Sequence, residues 1–245
     1  MQEAGLNALE LQFVRNVQFD ARKAQEARAE AERLDVLLSA HAPYYVNLNS
    51  SSPAIRERSE EWVLRTMRAA TAYGAWVVVV HAAVYGKVGA ERTTAMVVDS
   101  LARVRRRAAD ESLTPLIGLE TMGRRSAWGN VEEILAVMEQ VEGTLPVLDF
   151  AHLQARRPGL TRGSLLDMFS SIPEVPRLHC HLSGIEFTAA GERRHLGLGE
   201  GLDHVMVLSA LMESGREATV ICESTAPLED ALVMRRFLDQ GRWTH

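Results

Sequence analysis

The chain has 245 residues, two cysteines and a formal net charge of −5. That length suits one large domain, which buries enough surface to need no disulfides, and the acidic balance argues against a broad, non-specific grip on nucleic acid. No apolar run approaches the ~20 residues that cross a membrane, and MQEAGLNALELQ has neither the basic nor the apolar region of a secretory signal.

Two kinds of segment alternate along the chain. QEAGLNA reads as the last turn of a helix with Gly5 as its cap, and the apolar run ALELQFV (8–14) follows. Residues 21–33, ARKAQEARAEAER, are strong helix formers and lead into a second run, LDVLLSAH (34–41). SSPAIRERSEEWVLRTMRAATAYG carries a serine cap, Pro53 in the first turn and apolar residues at helical spacing. After it comes AWVVVVH (75–81), then a helix over 92–110. The run TPLIGLE (114–120), a helix over 130–141 and the run LPVLDFAH (145–152) come next. A helix over 161–169 separates these from VPRLHCHL (175–182), and a helix over 203–213 precedes ATVICE (218–223). The last periodic stretch, 227–240, is again helical. Cys180 and Cys222 each sit inside an apolar run, which suits reduced, buried thiols in a cytoplasmic protein.

Near-continuous apolar strands separated by helices predict a parallel sheet covered by helices. So many βα units in series predict a single TIM (β/α)8-type barrel domain over residues 1–245. Seven strands are counted instead of eight, so the first strand is expected to be lacking at the N-terminus. An edge left open in this way could be covered by dimerisation.

The strand ends carry the chemistry. They are His41, His81, Glu120, Asp149 with His152, His181, and Glu223. Alternation puts Val77 and Val79 on the face of His81, and His179 on the face of His181. In a barrel these ends converge on one mouth, where active sites sit. Carboxylates gathered there would repel one another and are costly to bury uncompensated, so a cation is expected among them. Mixed imidazole and carboxylate donors suit Zn²⁺, with Mn²⁺ or Fe as alternatives. The donors outnumber one tetrahedral site, so at least two ions are expected. His179 reads as an interior side chain. Arginine pairs follow these strands: Arg124 and Arg125, Arg156 and Arg157, and Arg193 and Arg194 before His195. Together they predict a basic rim suited to a phosphate-bearing substrate. RVRRR (103–107) lies on a helix and reads as a solvated outer face. Tyr44 and Tyr45 follow His41 and offer aromatic faces for stacking or wedging.

The ordered set HAPYYVNL, VVVVHAAVYG, GLE, VLDFAH, CHLSG and LGEG resembles endonuclease IV, the metal-dependent apurinic/apyrimidinic endonuclease family, from about Ala8 to the end. The likeness is to its shorter branch. The resemblance implies a TIM barrel with three zinc ions that hydrolyses the phosphodiester 5′ to abasic sites in DNA, without a side-chain nucleophile; for this chain two or three ions are expected. It implies one ion on His41, His81 and Glu120, a second on Glu120, Asp149, His181 and Glu223, and a third on His152 and His195. Tyr44 falls where the family places an aromatic that enters the DNA. The family's aspartate two positions before the last histidine is Arg193 here, a residue that cannot ligate zinc. Either Glu192 reaches in, or the third ion is weakly held or absent, and Arg193 itself would then supply positive charge at the leaving group. Sugar isomerases and epimerases of the xylose-isomerase-like superfamily are the alternative reading, since they also carry metal sites at a barrel mouth. A non-catalytic metal-binding remnant is a third.

Overall fold

The computed structural model describes residues 4–13 and 15–241. In chain order the elements are β1 (Ala8–Gln12), α1 (Ala21–Arg33), β2 (Leu37–His41), α2 (Pro53–Tyr73), β3 (Val77–Val80), β4 (Ala83–Val84), α3 (Gly89–Asp110), β5 (Leu116–Glu120) and β6 (Ala127–Trp128). They continue with α4 (Val131–Met138), β7 (Thr144–Asp149), α5 (Phe150–Arg156), α6 (Arg162–Ser171), β8 (Leu178–Leu182), β9 (Gly184–Thr188), β10 (Gly191–Leu196), α7 (His204–Glu213), β11 (Ala218–Cys222) and α8 (Pro227–Gly241). The fold is the expected α/β repeat of TIM-barrel type, with seven long parallel strands among the described residues. The helical turn expected over QEAGLNA falls partly outside them, at Gln2 and Glu3. Gly5 has a φ of 67°, a left-handed conformation that glycine adopts without a Cβ penalty.

These residues form two compact units. The first comprises Asn7–Thr121 and Ser126–Pro146. Its strands pair in parallel in the order β1-β2-β3-β5. Strand alternation divides their side chains cleanly. Leu38, Ala40, Val78, Val80, Ile117 and Leu119 turn to one face and join the apolar core with Val63, Met67, Leu101 and Trp128. The opposite face therefore receives Ser39, His41, Val77, Val79, His81 and Glu120. The four valines of β3 are fully buried on both faces, which is why the run is apolar without alternation. Gly74 closes α2 at a φ of 74°, the left-handed cap that its position after the periodic stretch requires. Arg103 and Arg107 of α3 do more than face solvent. Arg103 Nη2 lies 2.7 Å from Glu60 Oε1 and Arg107 Nη2 lies 2.7 Å from Glu61 Oε2, so both arginines tie α3 to α2. Burial alone would raise the pKa of Glu61, but hydrogen bonds from Arg68 and Arg107 outweigh it and hold the carboxyl below its ordinary value.

The second unit comprises residues 147–241 with 122–125 and the opening residues 4–6. Its parallel strands run β7-β8-β11. The run LPVLDFAH divides after Asp149: β7 ends there and α5 begins at Phe150. Asp149 Oδ1 accepts from the His152 backbone N–H at 2.7 Å and caps the new helix. β9 and β10 form an antiparallel hairpin that the apolar pattern did not signal. Cys180 is fully buried, and desolvation pushes its thiol up to about 12, which leaves it inert as a nucleophile.

Candidate metal centres

In the first unit, His41, His81 and Glu120 come together at the ends of neighbouring strands β2, β3 and β5. Each offers a donor atom within 4.8 Å of the others. Glu120 Oε2 lies 2.8 Å from His81 Nε2 and 3.2 Å from His41 Nε2. His41 Nδ1 lies 2.7 Å from the carbonyl oxygen of Ala42. A carbonyl can only accept, so Nδ1 carries the proton, which leaves Nε2 as the atom that would share an ion with Glu120. His41 and Glu120 are buried, and the two imidazole rings meet edge to face at 4.9 Å. Tyr44 lies over both, 4.9 Å from His41 and 5.2 Å from His81 between ring centroids, yet stays 53% exposed. It thus joins the centre to solvent. Tyr45 has a different job: its hydroxyl donates to the Arg15 carbonyl at 2.6 Å and its ring packs edge-on against Trp62.

In the second unit, Asp149, His181 and Glu223 present donors within 4.8 Å of one another. Parallel register sets Asp149 beside His181 on the same face of β7 and β8. Glu223 follows β11 directly, and its Oε2 lies 3.4 Å from His181 Nδ1. His179 is buried two residues before His181 and packs against that ring at 5.5 Å.

The same unit holds another cluster, formed by Asp149, His152 and His195. His152 sits in the first turn of α5, so the helix that Asp149 caps also aims this ring. The Nε2 atoms of His152 and His195 lie 3.1 Å apart. His195 Nδ1 lies 3.2 Å from the Glu223 carbonyl and 3.0 Å from Ser183 Oγ. The carbonyl fixes the proton on Nδ1 and leaves the Nε2 lone pair of His195 facing His152. Two carboxylates reach this pair: Asp149, whose Oδ2 is 3.5 Å from His152 Nδ1, and Glu192, whose Oε2 is 3.3 Å from His152 Nε2.

The arginines divide by role. Arg124, Arg125 and Arg157 are exposed. Arg156 is a structural clamp, donating through Nη1 to the carbonyls of Arg124 at 2.9 Å and Met122 at 3.2 Å. Arg193 stands apart from the histidines that its sequence position suggested. It and Arg194 both pair with Glu186 of β9, with side chains 65% and 69% exposed. The hydrogen bond from Arg194 and the charge of both arginines hold the Glu186 carboxyl below its ordinary pKa.

The donor chemistry fits divalent metal. A tetrahedral ion with Zn–N and Zn–O near 2.0–2.1 Å sets its donors about 3.3 Å apart. The separations of 3.1–3.3 Å about His152 and 3.2 Å between His41 and Glu120 lie close to those edges, while the 2.8 Å between His81 and Glu120 is shorter. Glu192 is one of the alternatives that Arg193 leaves open in the sequence, whereas no local pattern points to Gly123 or Ser183. The only local signal for Glu192 was its place three residues before His195.

A family profile described as "Xylose isomerase-like TIM barrel" matches residues 1–240, and the chain belongs to that family. Among curated proteins, it is 30% identical over 245 residues to an uncharacterized protein of Methanocaldococcus jannaschii, covering 96% of this chain and 88% of that one. It is 29% identical over 220 residues to "Probable endonuclease 4" of Mycobacterium tuberculosis, covering 86% of this chain and 82% of that one. Among solved structures, a D-tagatose 3-epimerase-like protein superposes with a TM-score of 0.74 at 19% identity, over 96% of this chain and 87% of the other. An L-ribulose 3-epimerase does so with a TM-score of 0.73 at 16% identity, over 98% and 85%. At those identities the structural likeness speaks for the fold alone. No helix among the described residues is long and apolar enough to cross a membrane.

Proposed function

We propose that the protein is a metal-dependent phosphodiesterase that cleaves DNA on the 5′ side of abasic sites. The observation that carries this reading is the number of donors. The second unit alone gathers Asp149, His152, His181, Glu192, His195 and Glu223, more than one four-coordinate ion takes. The first unit adds His41, His81 and Glu120. Sequence identity to the mycobacterial endonuclease 4 proteins supports the same class.

Bound divalent ions supply Lewis acidity toward a phosphate and lower the pKa of water toward neutrality. The chain's own residues supply placement. His41 and His195 are held in a single tautomer by backbone carbonyls, so their lone pairs need no reorientation when an ion arrives. Exposed Tyr44 offers a ring to a base or to the gap left by a missing one. Arg124, Arg125 and Arg157 offer forked donors to backbone phosphates. Arg156 holds the 122–125 loop that carries two of them.

The test is incubation of Zn²⁺-loaded protein with a DNA duplex carrying one tetrahydrofuran abasic analogue. A single nick on its 5′ side is expected, leaving a 3′-hydroxyl. The nick should disappear with chelator and weaken as salt rises, because phosphate contacts release counterions. The second reading, a sugar epimerase, is favoured by the fold likeness to two 3-epimerase structures over almost the whole chain. An uncut duplex together with epimerisation of a free ketose would decide for it.

A further inference from the structure

We infer that a β-bulge at Arg193 turns Glu192 into the carboxylate ligand of the His152–His195 pair, so that this chain binds a divalent ion there without an acidic residue two positions before the histidine. The inference concerns metal binding and does not depend on which reaction the protein catalyses.

In a regular strand, residues an odd number apart face opposite ways. Glu192 and His195 are three apart, yet both reach His152 Nε2, at 3.3 and 3.1 Å. The pairing of β10 with β9 explains how. Glu192 pairs with Phe187, Arg194 with Glu186 and His195 with Ile185, and the register shifts between Glu192 and Arg194. Arg193 is therefore the extra residue of a bulge, and two residues of β10 oppose a single step of β9. Phe187 and Ile185 are two apart and share a face. Glu192 and His195, paired with them, share that face as well. Arg194 takes the other face with Glu186, and the bulged Arg193 reaches the same carboxylate. The bulge thus selects Glu192 for the histidines and sends both guanidinium groups to an anion elsewhere. The Arg193 guanidinium, which would repel a bound cation, is paired with Glu186 instead of facing the histidines.

Two glycines hold the bulged strand in place. Gly191 has a φ of 102°, and a Cβ there would lie 2.2 Å from the Gly123 carbonyl oxygen. The 122–125 loop docks on the hairpin through Arg125 N–H to the Ala190 carbonyl at 3.1 Å and Glu192 N–H to the Gly123 carbonyl at 3.3 Å. A Cβ on Gly123 would lie 2.7 Å from Glu192 Cβ and 2.9 Å from His152 Cδ2. The absence of a side chain at 123 is what lets these two donors approach each other. Glu192 is only 16% exposed and His152 4%, so the carboxylate is committed to the cluster and not to solvent.

The test counts ions directly. Full-length protein and variants are stripped with chelator, dialysed against equal free Zn²⁺ and analysed for metal, with circular dichroism as a check on folding. Glu192→Gln and His195→Ala should each bind one ion fewer than the unaltered protein. Arg193→Ala should bind the same number. Glu192→Asp keeps the charge on a shorter arm and should weaken one ion by about tenfold, the low end of what perturbed metal shells cost. It carries the test if Glu192→Gln does not fold. With Co²⁺ in place of Zn²⁺, Glu192→Gln should change the visible absorption of the site. Full uptake by Glu192→Gln or unweakened uptake by Glu192→Asp would overturn the inference. So would loss of an ion in Arg193→Ala, or equal uptake by His195→Ala and the unaltered protein. Nicking activity does not enter these readings, so failure here is separable from failure of the proposed reaction.

Discussion

At the scale of single residues, the sites depend on side chains that are present and on one that is missing. Gly123 is not held by a left-handed backbone; its constraint is space. A methyl group at 123 would press on Glu192 Cβ at 2.7 Å and on His152 Cδ2 at 2.9 Å, closer than carbon atoms tolerate. Gly123→Ala should therefore move the hairpin or turn the imidazole. Overpacking of this kind costs about 1–3 kcal/mol. Urea denaturation of the metal-free protein should show a loss in that range. Metal analysis should show weakened uptake by the His152 cluster, and unchanged values in both measurements would mean that the loop gives way freely.

At the scale of elements, Asp149 couples a strand end, a helix start and an ion site. It ends β7, its Oδ1 caps α5, and its carboxylate belongs to both donor clusters of the second unit. The cap and the ligand roles separate by substitution. An asparagine can still accept the His152 N–H, so Asp149→Asn should lose at most a few tenths of a kcal/mol in the metal-free state, whereas Asp149→Ala should lose about 1 kcal/mol. Both should bind metal poorly, because an amide oxygen lacks the negative charge. Chemical denaturation without metal measures the first contrast and ion counting the second; equal stability of the two variants would remove the cap from the account. The arginines of α3 show that an outer helix face can also be tied down. Arg103 pairs with buried Glu60 and Arg107 with half-buried Glu61.

At the scale of the whole molecule, donors contributed by distant parts of the chain make metal binding and folding one equilibrium. His41 and Glu120 are 79 positions apart, and His152 and His195 are 43 apart, so the unfolded chain cannot present either pair. An ion that binds only the folded form stabilises it by roughly 2.7 kcal/mol when its free concentration is 100 times the dissociation constant. For a chain of this size each kcal/mol moves the melting temperature by about 2–4 °C. Scanning calorimetry should therefore show Zn²⁺-loaded protein melting roughly 5–10 °C above chelator-treated protein for a single ion, and more if several bind. Identical melting curves would argue that the clusters hold no ion in solution.

What the sequence determined by itself is what local periodicity can encode. The seven parallel strands follow from short apolar runs separated by helical stretches. The gathering of His41, His81 and Glu120 follows from alternation, which sends every second side chain to the same face of adjacent strands. The division of LPVLDFAH into strand and helix was not legible, because a short apolar run fits either period. The place of Arg156 was not legible either, since its partners are main-chain carbonyls more than thirty residues away. Arg193 marks the sharpest boundary. Counting back two residues from His195 pointed to it, and that count holds only for an unbroken ladder. Whether a strand bulges is decided by hydrogen bonds to its partner and by the loop packed against it, here β9 and residues 122–125. The sequence supplied the glutamate and the two histidines; the tertiary pairing of the hairpin decided which side chain faces which.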